Sequence, residues 1–179
     1  YENVEAVIAV TGEENDTDET NASGLPPHSI ELVVYGGLDE EIAKAIHRRK
    51  GAGIQTFGNV TVPVVDAAGN IKNISFSRPA PVNVWVRVFN LQTDNTFPLD
   101  GIEQIKQRLT EYIGSDTRGG LNIGQNVICV ALPTEVFKVQ GVVDFDLQIS
   151  PDGEAYSWQN ITIAAREKAV TNEDMVVVE

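Results

Sequence analysis

Short β-rich runs alternate along this chain with two well-punctuated helical patterns. Tyr1–Val10 reads as strand, and Ile30–Tyr35 (Ile-Glu-Leu-Val-Val-Tyr) is a second β-rich run that stops at Gly36-Gly37. Between them, Thr11–Ser23 is polar and acidic with no hydrophobic period, so a mobile loop is expected there. A helix follows, with Asp39 placed to cap it, Glu40 and Glu41 in its first turn, and Arg48, Arg49 and Lys50 in its last. Gly51 supplies the stop, and Ile42, Ala45 and Ile46 form one apolar face. Acid at the start and base at the end complement the helix dipole by about 0.3–1 kcal/mol per charge. The basic triplet is therefore a helix end. Val60–Val65 and Ile71–Phe76 flank Asp66–Asn70 as a β-hairpin with a five-residue turn. Arg78-Pro79-Ala80-Pro81 then breaks regular structure and is the predicted domain boundary.

In the second half, Val82–Phe89 alternates valines with Asn83, Trp85 and Arg87 as a strand. Asp100 and Glu103 make a capping-box pattern for a helix whose face carries Ile102, Ile105, Leu109, Tyr112 and Ile113, and Gly114 ends it. A third helix is predicted between Gly124 and Gly141, starting near Val130 so that Pro133 falls in its first turn. Val143, Phe145, Leu147 and Ile149 alternate with Asp144, Asp146 and Gln148 as a half-buried strand. Ser150–Gly153 is a turn, and Trp158–Ala164 and Met175–Val178 read as two further strands. The pattern predicts an α+β fold of two small mixed subdomains with mainly antiparallel strands. Residues 1–80 form a β-α-β-hairpin domain with its acidic loop at 11–23, and residues 81–179 form a β-α-α-β-β domain.

Composition narrows what such a protein does. Apolar residues are 42% and charged residues 22%, the balance of a folded domain and not of a disordered chain. The net charge is −13 and no cationic cluster is present to displace counterions from phosphates, so nucleic acid is not expected as a partner and anionic membrane surfaces are disfavoured. No stretch approaches the roughly 20 apolar residues of a membrane span. The lone Cys129 cannot form an intramolecular disulfide. The start at Tyr1, already in strand-like sequence, suggests a piece of a longer protein, and no signal peptide is read. Sequons at Asn21, Asn59, Asn73 and Asn160 have no other secretory cue beside them and are taken as chance.

Candidate chemistry is sparse. Asp144 and Asp146, two apart on a strand, project to one face and could serve glycoside hydrolysis or a metal, against a solvated strand face as the simpler reading. The acids Glu13, Glu14, Asp16, Asp18 and Glu19 lack the ordered spacing of a calcium loop. His28 and His47 lie in different elements without sequence-adjacent partners. Gly51–Gly58 follows a helix instead of preceding one, so its amides form no helix N-terminal anion site. Cys129 sits in apolar sequence where burial makes a thiol inert. No catalytic residue, metal ligand or cofactor site is read, and the protein is not expected to be an enzyme.

The run Gly24-Leu25-Pro26-Pro27-His28-Ser29-Ile30-Glu31 closely resembles a signature of the phage baseplate J-like family. As in that family, it follows an acidic Thr17-Asp18-Glu19-Thr20 and precedes a strand, a Gly-Gly and an acid-started helix. Gly51–Asn59 resembles the family's Ala-Gly-Ile-Gly-Thr-Tyr-Gly continuation, with Gln55 where glycine is commoner and Phe57 where tyrosine is. Phe76-Ser77-Arg78-Pro79 resembles its Arg-Phe-Ser-Arg-Pro, and Gln140–Asp144 its Pro-Gly-Val-Val-Asp. The resemblance covers nearly the whole chain, most closely from Thr17 to Pro79. It implies the C-terminal part of a structural wedge subunit in the baseplate of Mu-like contractile-tail phages, prophages or tailocins. Such a subunit is made in the bacterial cytoplasm and resides in the virion. Its partners would be other wedge and hub proteins and neighbouring copies in a ring, with no catalytic residues to carry over. Function through surfaces predicts exposed apolar side chains, with Trp85, Phe89, Phe97 and Trp158 as interface candidates. The alternatives are an envelope-glycan hydrolase using Asp144 and Asp146, or a carbohydrate-binding module, which the 7% aromatic content does not favour.

Overall fold

The computed structural model describes residues 6–179. Three helices and ten strands lie among them, in mixed, mostly antiparallel sheets, so the fold is α+β. The chain divides into two compact units, Tyr1–Pro79 and Ala80–Glu179.

In the first unit, β1 (Val7–Asn15) pairs antiparallel with β2 (Ser29–Gly36), and the short β3 (Gln55–Phe57) adds parallel to the start of β2. The sheet order β1-β2-β3 leaves β1 at an edge. Helix α1 (Asp39–Arg49) lays Ile42, Ala43 and Ile46 against Val34 of β2. Across from it, the hairpin β4 (Val60–Val65) and β5 (Ile71–Phe76) adds Val64, Ile74 and Phe76 to the same core. Each such side chain, once fully buried, contributes roughly 1.5–3 kcal/mol, which is why a few-residue apolar stripe suffices to hold the helix. The hairpin turns on Asp66, whose carboxylate accepts the amide hydrogens of Asn70 and Ala68. The Asn70 amide is the chief reason that carboxyl titrates below its usual range.

Three expectations for this unit need correction. Of the strand read over Tyr1–Val10, residues 1–5 lie outside the described ones, and the strand itself runs on to Asn15. Thr11–Asn15 is thus strand and not loop. It pairs with β2 residue by residue, but Val10–Glu14 are exposed, so no hydrophobic period marks it. Asp39 is the first helical residue and makes no capping bond. Leu38 occupies the cap position, and the Asp39 carboxylate is taken by Arg78. Gln55–Phe57, read as part of a glycine-rich loop, forms β3.

The second unit is built on the sheet β10-β7-β8, made of β7 (Trp85–Thr93), β8 (Val142–Ser150) and β10 (Val176–Val178). A separate parallel pair joins β6 (Ala80–Asn83) to β9 (Glu167–Val170). Helix α2 (Gly101–Ile113) buries Ile105, Leu109 and Ile113 completely against Val84, Val86, Val88, Leu147 and Ile149. Asp100 does sit at its cap position, but without a capping bond; it accepts from Gln104 instead, so the capping box is not formed. Ile102, assigned to the buried face, is 42% exposed. The single strand expected over Val82–Phe89 is two strands, because the chain leaves one sheet for the other at Val84, whose amide still bonds Val170.

The third helix contracts to a 3-10 turn at Cys129–Ala131 and the four-residue α3 (Pro133–Val136), with Pro133 at its start, where it needs no amide hydrogen. Trp158–Ala164 is not a strand. A lone bridge links Ile161 to Val127, and Asn126 accepts the Ile163 amide, so Ile161 and Ile163 are buried without a ladder. Met175–Val178 begins as a 3-10 turn (Glu173–Met175), with Asn172 accepting at its cap, before β10 starts at Val176. Strand β9 escaped notice because its centre is charged. Lys168 is fully enclosed, and its ammonium donates to the carbonyls of Gly119 and Leu121. Burial pushes that amine's pKa down.

The turn after β8 gives a pH-dependent prediction. The Asp152 carboxylate takes the Ser150 hydroxyl at 2.6 Å and the amides of Glu154 and Ala155. Those bonds, the Ser150 hydroxyl first, hold its pKa down to about 2 from 3.8. A carboxyl depressed in the folded state stabilises it above the unfolded pKa and loses that contribution as pH falls through the folded value. The urea midpoint of the wild type should therefore fall between pH 3.8 and about 2 more steeply than that of Asp152→Asn. Equal slopes would show that the turn does not depend on the charge.

Candidate functional site

The segment that resembles the family signature is a fixture of the first unit. Asn15, buried at the end of β1, donates its side-chain amide to the carbonyls of Glu19, Leu25 and Pro26 at 2.8, 2.8 and 3.0 Å. Its side-chain oxygen receives Thr17, and Asn21 Oδ1 receives the amides of Ser23 and Leu25. Leu25 is fully buried beneath this strapping. Thr11–Ser23 was expected to be a mobile loop; the part of it beyond β1, together with Leu25 and Pro26, is instead tied at three carbonyls and three amides, because the side chains of Asn15 and Asn21 satisfy what a loop would leave to water.

The next link is longer in range. Ser77 Oγ donates to the buried Glu31 carboxylate at 2.5 Å, and the Ser77 amide and carbonyl bond Leu32 and Val34 of β2. Arg78 then places its guanidinium on the carbonyls of Val34, Gly36 and Gly37 and on Asp39, at 2.5–3.2 Å. A hydroxyl beside a carboxylate resembles an activated nucleophile. Here both residues are 3% exposed, which closes the pair to any substrate.

Beside this scaffold lies an apolar groove. Helix α1 covers β2 but stops short of the edge strand, leaving Val7 and Val10 of β1 facing Ile42, Ala45, Ile46 and Arg49 across Leu32 and Val34.

In the second unit the four interface candidates do not gather. Trp85 is half-buried with Gly153 against its ring, Phe89 is half-buried beneath the Arg87 guanidinium, and Phe97 is half-buried against Gly101 and the core. Trp158 alone of the four is exposed, at 49%. The exposed apolar side chains are others. Phe137 packs its ring against that of Phe145, centroids 4.8 Å apart and tilted by 51°, beside Val143 on the same strand face, and Val130 and Leu99 are also exposed. The alternation of β8 pointed to Val143 and Phe145 but gave them to the core, since nothing in the sequence says where the helical cover ends.

Asp144 and Asp146 share an open depression with Asn90, Leu91 and Gln92. Asp146 is held by the Asn90 side-chain amide at 2.8 Å, while Asp144 accepts the Phe145 amide. No other acid or base lines that depression, which is open to solvent. A polar cavity of about 680 Å³ lies elsewhere in this unit, among Asn83, Thr110, Ser115, Arg118 and Asn172. Thr110 Oγ1 there is buried without a hydrogen-bond partner.

His28 is exposed beside Asp18 and Asp16, at 3.0 and 3.9 Å, and no group of three or more potential metal ligands forms among the described residues. Cys129 is buried, and burial raises its thiol pKa, which keeps it protonated and unreactive. Three of the sequon asparagines have structural work. Asn21 holds its loop, Asn59 accepts the Arg78 amide, and Asn160 accepts the Cys129 amide. No helix among the described residues is long and apolar enough to cross a membrane.

Fold and site thus define a two-unit α+β protein whose most specific sequence segments serve its own scaffold. Comparison with family models and with curated proteins gives no match.

Proposed function

We propose that the chain is a structural subunit of a contractile-tail baseplate, of the baseplate J-like kind, acting through protein-protein surfaces and without catalysis. Its partners are other wedge and hub proteins and neighbouring copies in a ring, and its place is the virion tail. The observation that supports this reading is the meeting of the two most family-like stretches. Glu31, from the Gly24–Glu31 run, is bound by Ser77 of Phe76–Pro79, and Arg78 secures the strand that follows. Residues so used hold a frame and leave no side chain poised on a substrate. An assembly protein needs that rigidity to present surfaces in register.

The test is the composition of purified tails. Sedimented contractile tails from the organism that encodes the chain should contain it in fixed ratio to sheath and tube proteins, by quantitative mass spectrometry. Recovery only in the supernatant, with none in sedimented tails, would remove the assignment.

A further inference from the structure

We infer that the open edge of β1 and the groove beside α1 form a docking site for an extended, partly basic segment of another protein, which adds to the sheet as a strand.

Three observations converge on this occupant. First, β1 is a nine-residue edge strand whose apolar stretch Val7–Val10 carries no charge to guard it. It carries no proline or lysine, its one irregularity lies between Val7 and Ala9, and its outer side pairs with nothing among the described residues. Second, the sheet face beside that edge is unfinished. Val10 is 37% exposed and opposes Val34 in register, yet α1 covers only the Val34 side. A strand added to β1 would bring alternate side chains down onto Val10 and the flank of Ala45 and Ile46, supplying the missing apolar cover.

Third, charge selects the partner. From Ala9 onward the pairing is regular, so Val10, Gly12 and Glu14 share the groove face. Leu32 leans over the bare Gly12, whose added Cβ would meet its side chain at 2.7 Å. Beyond it comes Glu14, with Glu13 on the opposite face. The incoming strand therefore meets apolar surface, flanked on the helix side by Arg49, and then the Glu14 carboxylate further along the edge. A second copy of this chain is disfavoured, because each carries a net charge of −13. The complementary occupant has apolar residues in the middle of its inward face and Lys or Arg at its end.

The probe is a labelled heptapeptide, acetyl-Lys-Thr-Val-Thr-Val-Thr-Lys-amide. Its inward face reads Lys, Val, Val, Lys in either strand direction. It is titrated by fluorescence anisotropy against the whole chain, with amide hydrogen exchange as the second readout. Expected are saturable binding that weakens with salt, slowed exchange over Val7–Thr11, and a loss of about tenfold or more when both lysines are replaced by glutamate.

Val10→Asp is the deciding variant, because it adds a negative charge. Bare electrostatic attraction predicts tighter binding, whereas groove docking predicts a loss of about tenfold or more. The uncharged Val10→Ser should weaken binding as well. Both variants should keep the wild-type urea midpoint to within about 0.5 kcal/mol, the usual range for a surface substitution. Absence of binding at low salt, or unchanged or tighter binding by Val10→Asp, overturns the inference. So does concentration-dependent self-association that Val10→Asp abolishes, since the occupant would then be a second copy. The outcome is independent of whether the chain is found in phage tails.

Discussion

Replacing Arg78 by alanine is expected to lower the stability of the first unit by about 3 kcal/mol, read as a fall in its urea midpoint. The guanidinium donates to three backbone carbonyls, those of Val34, Gly36 and Gly37, at 2.5–3.0 Å. Hydrogen bonds from a charged donor are worth about 1.5–3 kcal/mol each where the acceptor would otherwise be stranded. The ion pair with Asp39 adds little, since that carboxylate is half exposed and solvent screens it. Arg78 also lies over the Phe76 ring, at 5.3 Å. Lysine has one nitrogen and no fork, so Arg78→Lys should recover less than about half of the loss. Full recovery by lysine would mean that charge alone matters and that the carbonyl contacts do not.

Gly58→Ala should cost as much, about 3 kcal/mol or more, by a different route. Gly58 has φ of 153°, a conformation close to glycine-only. A Cβ built on it would lie well inside contact with the backbone carbonyl of Phe76, at the end of β5. Because the obstacle is main chain in a paired strand, no rotamer change relieves it. Gly53, in the same exit from α1, also has positive φ but meets nothing within 4 Å. Gly53→Ala should therefore cost about 1–2 kcal/mol, from backbone strain alone. Thermal unfolding of the two variants side by side checks this. Equal losses would show that the approach to Phe76 is not what demands glycine at position 58.

The elements legible in the sequence were those whose own residues carry a period. The hairpin of β4 and β5 lies at Val60–Val65 and Ile71–Phe76, as the apolar runs and the Asp-Ala-Ala-Gly-Asn turn indicated. Helix α2 and the buried Ile105, Leu109 and Ile113 followed from their spacing. What failed depends on distant partners. Thr11–Asn15 becomes strand only because β2 is there to pair with it, and Val82–Phe89 breaks because β9 and β8 claim different parts of one alternating run. Lys168, at the heart of the unforeseen β9, is enclosed because a glycine-rich loop brings the carbonyls of Gly119 and Leu121 over it. The caps failed for a related reason. Asp39 has the right residue type but stands one position past the cap, which Leu38 occupies, and Arg78 takes its carboxylate.

The candidate site was less legible than the fold. Trp85, Phe89 and Phe97 were expected to stand exposed as interface residues, yet each finds partial cover within its own unit, while the apolar groove beside α1 depends on how far one helix reaches across a sheet. That reach is set by packing between elements and leaves no local mark in the sequence. The clamp at Arg78 showed in the sequence as a break in regular structure and as part of a family-like run, but not as a clamp, since its acceptors lie 39–44 positions earlier.

That distance governs the order in which the first unit can form. The Ser77 bond to Glu31 closes a span of 46 residues, and Arg78 reaches back 39 to Asp39. While the chain is being synthesised, β2 and α1 leave the ribosome before the groups that satisfy them exist. Until Ser77 is made, Glu31 lacks the hydroxyl that donates to its carboxylate in the folded unit, and burying a polar group without its hydrogen bond is costly. Long closures of this kind delay folding, since the entropy of the loop is lost before its contacts form. The strands of the sheet that bears the open edge are all made by Phe57, but the side-chain donors that Ser77 and Arg78 bring to it come some twenty residues later.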